Sequence, residues 1–415
     1  MQTVHIEKLV FGGQALARVN GKAVFVWGAL PGEDVEIEYT NEKKNFVEAV
    51  VVKILNPSPD RVDPREISYL STSPWQILSW TAENKWKQQI AIETYGRHGG
   101  LILQDNKPEI FFDEREYEYR NKIEFYFDKL PNGKIYLAFL RRGQIKRIPV
   151  NGSVLAKPVL NKYAQYILAH INKLEIDSRT LDKLILKTNE KNQVIAGLLV
   201  NGNIKNIEIP LSNDLLGFGI YNAENNKPIF EDGQLFLEDK ILGLKLKYGL
   251  FSFFQVNIPV FEQVLKDIAV FAGPKNELTD FYAGVGAISL PISQNRNKTE
   301  LIESNYEAAE FAKENIVLNN LLNCEVICAP SETMLEKISS NRIIVVDPPR
   351  NGLDIKLVNR LLTKRPARII YLSCDLSTQA RDINYLGQAY KVSYIKLYNF
   401  FPRTPHIEGL CVLDC

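Results

Sequence analysis

The chain has 415 residues, with 50 Lys and Arg against 49 Asp and Glu and a formal net charge of +1. That length holds two or three domains with cores of their own, and the balanced charge excludes a global field as the means of gripping nucleic acid, leaving local patches. Met1 to Asn20 mixes His5, Glu7, Lys8, Gly12 and Gly13 into its apolar residues, and no stretch reaches the ~20 apolar residues of a membrane span, so a cytoplasmic, monomeric protein with no membrane partner is expected.

From Val4 to Leu55, strand-like runs alternate with turn signals at Phe11–Gly13, Asn20–Lys22, Leu30–Gly32 and Asn41–Lys44. Apolar and polar residues alternate in Ala23–Trp27 and Val35–Tyr39, the period of half-buried strands. Five such runs predict a small OB-like β-barrel over residues 1–57, followed by a linker at Asn56–Asp60. Residues 58–245 read as a mixed α+β domain. A helix is predicted over Thr81–His98, stopped by Gly99 and Gly100, and strands over Lys122–Phe127 and Ile135–Phe139. From residue 246 to 415 the pattern becomes regular. Strand-like runs at Leu278–Tyr282, Leu301–Glu303, Glu325–Ala329, Ile343–Asp347 and Ile369–Cys374 alternate with helical stretches such as Tyr306–Asn320, where Ala309, Ala312 and Ile316 share one face and Glu307, Lys313 and Glu314 the other. The fold class expected is thus multidomain α/β, ending in a doubly wound, Rossmann-like parallel sheet. All five cysteines, Cys324, Cys328, Cys374, Cys411 and Cys415, fall in this last domain without disulfide or zinc spacing, as free thiols in a reducing compartment do.

Cys374 stands where a strand-like run ends, the place at which α/β folds bind and transform ligands. Alone it reads equally as a small buried hydrophobe. The loop Tyr282–Gly286 follows a strand and opens a helix, its Gly284 and Gly286 letting a cofactor approach the backbone. It lacks the third glycine of a dinucleotide site, and Glu303, about twenty residues on, ends the next strand, where a carboxylate binds ribose hydroxyls. A turn glycine pair and a solvated glutamate are the plain alternative; together the loop and Glu303 resemble an S-adenosylmethionine site. Asp347, Pro348 and Pro349 end another strand. Prolines stop strands and Asp caps turns, but an acid with two prolines here also positions a planar substrate in methyltransferases. Amine-methylating enzymes follow the prolines with a stacking aromatic; this chain has Arg350.

Phe253–Asn257, Asp280–Gly286, Glu303, Asp347–Gly352, Tyr371–Cys374 with Ala380–Asp382, and Phe401–Glu408 together resemble the ordered motifs of the RNA uracil-5-methyltransferase family, a class I, S-adenosylmethionine-dependent group. The leading barrel resembles the TRAM domain, an RNA-binding module, and Tyr119–Lys122 and Leu140–Gly143 resemble the family's central domain. The resemblance implies methylation of uridine carbon-5 in RNA, most often large-subunit (23S) ribosomal RNA, with the T-loop of transfer RNA as the close rival. It implies Cys374 as nucleophile adding to carbon-6, Glu408 as general base taking the carbon-5 proton, Asp347 holding the uracil edge, and Gln255 touching base and cofactor. Tyr282, Gly284, Gly286, Glu303 and Asp347 would line the cofactor site, and His406 is expected to be structural. No metal is implied.

Many family members carry an iron–sulfur cluster on four cysteines in the central domain. Here Leu70 and Ser73 stand where two would be, and no cysteine precedes Cys324, so no thiolate cluster is expected and Leu70–Trp80 must be held by packing, anchored by Trp75 and Trp80. RNA contacts are expected from Lys43 and Lys44, from Arg141, Arg142, Lys146 and Arg147, and from exposed aromatics such as Trp27; each such run reads equally as a solvated loop. The uridine must be extruded from its stack. Two other readings remain: an amine methyltransferase, which leaves Cys374 and Glu408 idle, and a non-catalytic RNA-binding protein.

Overall fold

The alternating N-terminal pattern becomes a closed-up sheet of six strands in the computed structural model, which describes every residue except 1, 143–145, 175, 203, 205 and 206. Strands β1 (Gln2–His5), β2 (Lys8–Leu9), β3 (Ala15–Val19), β4 (Lys22–Trp27), β5 (Asp34–Glu42) and β6 (Phe46–Asn56) pair in the order β1-β5-β6-β4-β3-β2. Val24, Val26, Val35, Ile37, Val47 and Ala49 point inward and are buried, as period-2 alternation requires. The two residues of β2 are too few to show a period, so the sequence pattern yields one strand fewer.

After the linker come helix α1 (Tyr69–Thr72), a 3₁₀ turn (Pro74–Ile77) and helix α2 (Trp80–Gly99). Ser79 caps α2 by accepting the Ala82 N–H, and Gly100 ends it at φ 66°, a left-handed stop that glycine adopts without strain. Between the two, packing is supplemented by charge. The Glu66 carboxylate accepts hydrogen bonds from Thr72 Oγ1 (2.6 Å), Gln76 Nε2 (3.1 Å), Ser73 Oγ (3.4 Å) and the Val154 N–H (3.1 Å). Trp75 is an anchor, buried, with its indole N–H on the Gly13 carbonyl of the barrel at 3.0 Å. Trp80 is half-buried and packs edge-on to Phe112.

The middle of the chain contributes β7 (Glu109–Phe111), β8 (Lys122–Lys129), β9 (Ile135–Leu140), β10 (Arg147–Pro149), α3 (Pro158–Ile171), β11 (Leu181–Thr188), β12 (Val194–Val200), β13 (Leu215–Asn222) and β14 (Pro228–Gly233). All but β7 form one sheet, β10-β9-β8-β11-β12-β13-β14, whose Phe125, Phe127, Leu184 and Leu186 pack on Leu160, Ala164 and Ile167 of α3. A hairpin, β15 (Phe236–Ile241) and β16 (Leu244–Gly249), leads into the last sheet.

That last unit comprises α4 (Ile258–Ala272), β17 (Glu277–Phe281), β18 (Thr299–Glu303), α5 (Tyr306–Leu318), β19 (Cys324–Cys328), β20 (Arg342–Val346), α6 (Ile355–Lys364), β21 (Arg368–Ser373), α7 (Leu376–Leu386), β22 (Lys391–Tyr398) and β23 (Glu408–Asp414). The strand order is β19-β18-β17-β20-β21-β23-β22-β7. The first five are parallel, but β23 runs antiparallel to both β21 and β22. The five strands read from the sequence form the expected parallel part of the sheet, and β22 and β23, which the sequence pattern did not register, add an antiparallel pairing because a loop, not a crossover helix, joins them and turns the chain back. One correction concerns the glycine loop. It opens no α-helix; positive φ at Tyr282, Gly284 and Gly286 interrupts any helical run, and turns lead only to a 3₁₀ turn at Leu290–Ile292. Residues 80–111 pack on this last sheet: β7 pairs with β22, and Gly99 of α2 lies against Ala380 of α7. Among the described residues no helix is long and apolar enough to cross a membrane.

Glu66→Ala is expected to lower unfolding free energy by about 2–3 kcal/mol, since several donors lose a charged acceptor at once. Urea denaturation measures this, and a change below about 0.5 kcal/mol would show that packing alone holds the 66–80 segment.

Candidate active site

The carboxyl ends of β17, β18, β20 and β21 meet along one edge of the sheet, where open α/β sheets place ligands. Asp347 follows β20, Cys374 follows β21, and Glu408 opens β23. Register brings the last two together. Ser373 pairs with Gly409 as the last rung of the β21/β23 ladder, and Cys374 and Glu408 adjoin that rung, close enough for the Glu408 charge to act on the thiol. Val346 pairs with Tyr371, which puts Asp347 beside Leu372 at the foot of the same cleft.

Side chains from α7 fix these strand ends. Asp382 accepts from the Tyr371 hydroxyl and from the Leu353 N–H, both at 2.8 Å, tying β21 to the loop after Asp347. Gly352 belongs to that loop at φ 79°, and a Cβ there would meet the Asp382 carboxylate at 2.6 Å. The Gln379 amide donates to the carbonyls of Tyr371 (2.9 Å) and Gly409 (3.0 Å) and accepts from Tyr95 (2.6 Å). Asp375 starts α7 by accepting the N–H groups of Ser377 and Thr378, both at 3.0 Å, so the helix begins immediately after the cysteine.

A thiol before a helix N-terminus is ordinarily acidified, yet here the opposite effect wins. Burial first, then the nearby charges of Glu408 and Asp347, push the Cys374 thiol up to about 11, against a smaller lowering by Arg350. Burial also raises Glu408, well above the usual carboxylate range, and Asp347, each helped by a neighbouring acid. Asp280, fully buried, is pushed up to about 7, with nearby Ser289 opposing. Its charge reaches Asp347 and so links the cysteine cleft to the glycine loop.

The residues at that loop fit an adenosyl cofactor. Glu303 accepts the Gly284 N–H at 2.8 Å and the Asn305 N–H at 2.6 Å, which orients its carboxylate beside the loop with acceptor capacity remaining for ribose hydroxyls. A Cβ on Gly284 would meet nothing within 4 Å, whereas one on Gly286 would strike Leu290 at 2.5 Å. Gly284 therefore faces open space and Gly286 is required by packing. Tyr282 is half-buried at φ 65°, a conformation costly for an aromatic residue and characteristic of functional sites. Gln255 Oε1, Asn257 Oδ1 and both Asp280 carboxylate oxygens are buried without a hydrogen-bond partner, polar groups of the kind a ligand satisfies.

Gln255 is placed from outside the sheet. Asn121 Nδ2 donates to its carbonyl at 2.9 Å, and Lys187 Nζ donates to the carbonyls of Gly249 (2.8 Å) and Ser252 just before it. Burial lowers Lys187 to about 7. Nothing singled out Lys187 in the sequence, although a lysine ending the apolar run Leu184–Leu186 was a usable signal. Glu307, expected on a solvated face, is half-buried. His406 is exposed and lies outside β23.

A cleft of about 1380 Å³ opens between barrel and middle sheet, lined by Trp27, Arg65, Ile67, Arg141, Arg142 and Asn161 among others. Cys374 is not among its walls. Trp27 is half-buried, not exposed as expected, because Arg142 lies over its ring at 4.3 Å. Arg65 covers Tyr117 at 3.8 Å. Lys43, Lys44, Arg141 and Lys146 are exposed; Gly143 lies outside the described residues.

The family model for tRNA (uracil-5-)-methyltransferase matches residues 101–414, and that for the TRAM domain residues 1–52. The chain is 29% identical to an uncharacterised RNA methyltransferase of Caldanaerobacter subterraneus subsp. tengcongensis, over 99% of this chain and 97% of the relative. It is also 29% identical, with the same coverage, to one of Aquifex aeolicus. Its fold is similar to that of the Pyrococcus abyssi tRNA (uracil-54, C5)-methyltransferase, solved with S-adenosyl-L-homocysteine, with a TM-score of 0.75 and 20% identity over 99% of this chain and 100% of that one.

A thiol raised to about 11 is ionised to only about one part in a thousand at pH 8. Alkylation of the Cys374 peptide by iodoacetamide should therefore be slow at neutral pH and rise about tenfold per pH unit to about pH 10. Asp347→Asn and Glu408→Gln each remove a negative neighbour and should move that rise to lower pH. A plateau by pH 8 in the unmodified chain would refute the raised thiol.

Proposed function

Because the chain belongs to the tRNA (uracil-5-)-methyltransferase family, we propose that Cys374, Glu408 and Asp347 methylate carbon-5 of a uridine in RNA through a covalent protein–uracil adduct. The observation that carries this reading is a thiol and a buried carboxylate adjoining the last rung of the β21/β23 ladder, within reach of each other's charge. S-adenosylmethionine supplies the methyl group. Gln255, Tyr282, Gly284, Glu303 and Asp280 would hold it.

Carbon-5 of uracil is a poor nucleophile. Cys374, its proton lost to water, adds to carbon-6, and the electrons of the carbon-5/carbon-6 double bond move into an enolate. The enolate's electron pair, returning through carbon-5, would form the new bond to the methyl carbon as its bond to the sulfonium sulfur breaks, leaving a neutral thioether. Glu408 then removes the remaining carbon-5 proton, the C–H electrons re-form the double bond, and the carbon–sulfur bond breaks to return the thiolate. A base whose pKa lies nearer operating pH suits that step, typically worth ~100 to 10,000-fold, and burial moves Glu408 in that direction. Asp347, held partly protonated by the same desolvation, is suited to share hydrogen bonds with the uracil edge and to support the enolate oxygen.

The TRAM barrel favours large-subunit ribosomal RNA as the substrate, and the cleft flanked by Trp27, Arg142 and Arg65 supports stacking and phosphate contacts there. Transfer RNA is the second reading, favoured by the likeness over the whole chain to an enzyme named for uracil-54 of tRNA. Five free cysteines suit work in the cytoplasm, where the monomer would meet either RNA.

Incubating the protein with unmethylated ribosomal and transfer RNA and methyl-labelled S-adenosylmethionine, then analysing nucleosides by mass spectrometry, should show label in 5-methyluridine. The RNA carrying it decides between the two substrates, and label in a methylated amine would overturn the carbon-5 assignment. Cys374→Ala should abolish product while leaving the fold intact. Glu408→Gln should form a protein–RNA adduct that survives denaturation and is absent in the double mutant; RNA binding without any adduct would remove Glu408 from the role of base.

A further inference from the structure

The loop from Asn399 to Ile407 leads into Glu408 at the start of β23, and several of its backbone groups are held by side chains from outside the sheet. Lys87 Nζ donates to the Phe401 carbonyl at 3.0 Å and to Asn399 Oδ1 at 2.6 Å. Both oxygens of Glu83 accept the Arg403 N–H at 3.0 Å, and one accepts Asn399 Nδ2 at 3.1 Å. Tyr119 donates its hydroxyl to the Pro402 carbonyl at 3.0 Å, and the Trp75 N–H reaches the Arg403 carbonyl at 3.2 Å. Arg403 itself sits at φ 64°, strain that an arginine tolerates only where its surroundings over-determine the backbone.

Glu83 and Lys87 pair one helical turn apart at 2.8 Å, both with fully buried side chains. Burying an ion pair is unfavourable relative to apolar residues of the same size, so its retention points to a geometric task and not to stability. The barrel closes the arrangement from the far side. A Cβ added to Gly13 would lie 2.5 Å from Pro405 Cβ, and the Gly13 carbonyl accepts the Trp75 indole N–H. The turn at Gly13 is thus in contact with the loop immediately before His406.

We infer that Glu83 and Lys87 are positioning residues that hold the 399–407 loop so that Glu408 meets the carbon-5 proton, and that the barrel turn at Gly13 completes this clamp. The inference rests on the reading of Glu408 as the base. It makes the RNA-facing barrel part of the machinery that times release of the adduct, since displacement of the turn is felt two contacts from Glu408. Formation of the adduct depends on Cys374 and Asp347, carried by other strand ends, and should be spared.

The test is single-turnover methylation of the RNA substrate with S-adenosylmethionine, following denaturation-resistant adduct and 5-methyluridine separately in the full-length protein. Lys87→Met and Gly13→Ala should form adduct no more slowly than the unmodified protein but resolve it about 10- to 100-fold more slowly, the penalty for a base displaced by a fraction of an ångström to an ångström. KM for both substrates should be unchanged. Gly13→Ala leaves the buried pair untouched, so it tests the clamp even if Lys87→Met fails to fold. Resolution at the unmodified rate in a folded variant, or formation and resolution slowed equally, overturns the inference. Glu408→Gln run alongside separates the two failures: if it accumulates adduct and the clamp variants do not, the clamp alone is wrong, whereas no adduct in Glu408→Gln removes the base reading and the inference with it.

Discussion

The antiparallel pairing of β21 with β23 decides where the reactive groups stand. Because side chains alternate with period 2, a slip of one residue would carry Glu408 to the opposite face of the sheet and away from Cys374. The register is pinned at both ends. Gln379 bridges the carbonyls of Tyr371 and Gly409 near the cysteine, and at the far end Arg368 grips Asp414 bidentately at 2.6 and 2.9 Å. A Cβ on Gly409 would meet the Tyr95 hydroxyl at 2.3 Å, so the residue beside the base is small because helix α2 occupies the space above it.

Burial acts on the whole cluster in one direction. It raises Cys374, Asp347, Glu408 and Asp280 together, and the mutual repulsion of the acids adds to the effect. The resting site accordingly retains protons. For the proposed base and hydrogen-bonding acid this is an advantage; for the thiol it means low nucleophilicity, and with it a low susceptibility to oxidation.

The three sheets are not independent modules strung on a chain. Asn121, at the start of β8, holds the Gln255 carbonyl, Lys187 of β11 holds the preceding turn, and Trp75 joins the barrel to the loop before Glu408. Glu66 ties the segment between barrel and α2 to the 154 region of the middle sheet. The barrel, the middle sheet and the sheet edge that carries Cys374 therefore share a scaffold of buried polar contacts, each of which has a specific geometry that an apolar contact would lack.

Much was legible because it is local. The alternating runs gave the barrel, the Gly99–Gly100 pair gave the end of α2, and the β-branched runs gave β17 to β21 within a residue or two, since period and helix stops depend on neighbours in the chain. The motif residues were likewise visible one by one. What local pattern left out was anything set by distant partners: the antiparallel β22 and β23, the absence of a helix after the glycine loop, the packing role of Gly286, and the burial of Glu83 and Lys87, whose i, i+4 spacing on a helix reads as an ordinary surface pair. The sequence by itself determined which chemical groups are available and on which kind of element each rides. Only the tertiary structure decided which of them meet and in what protonation state, because proximity follows from strand register and pKa from desolvation, and both are properties of the assembled sheet.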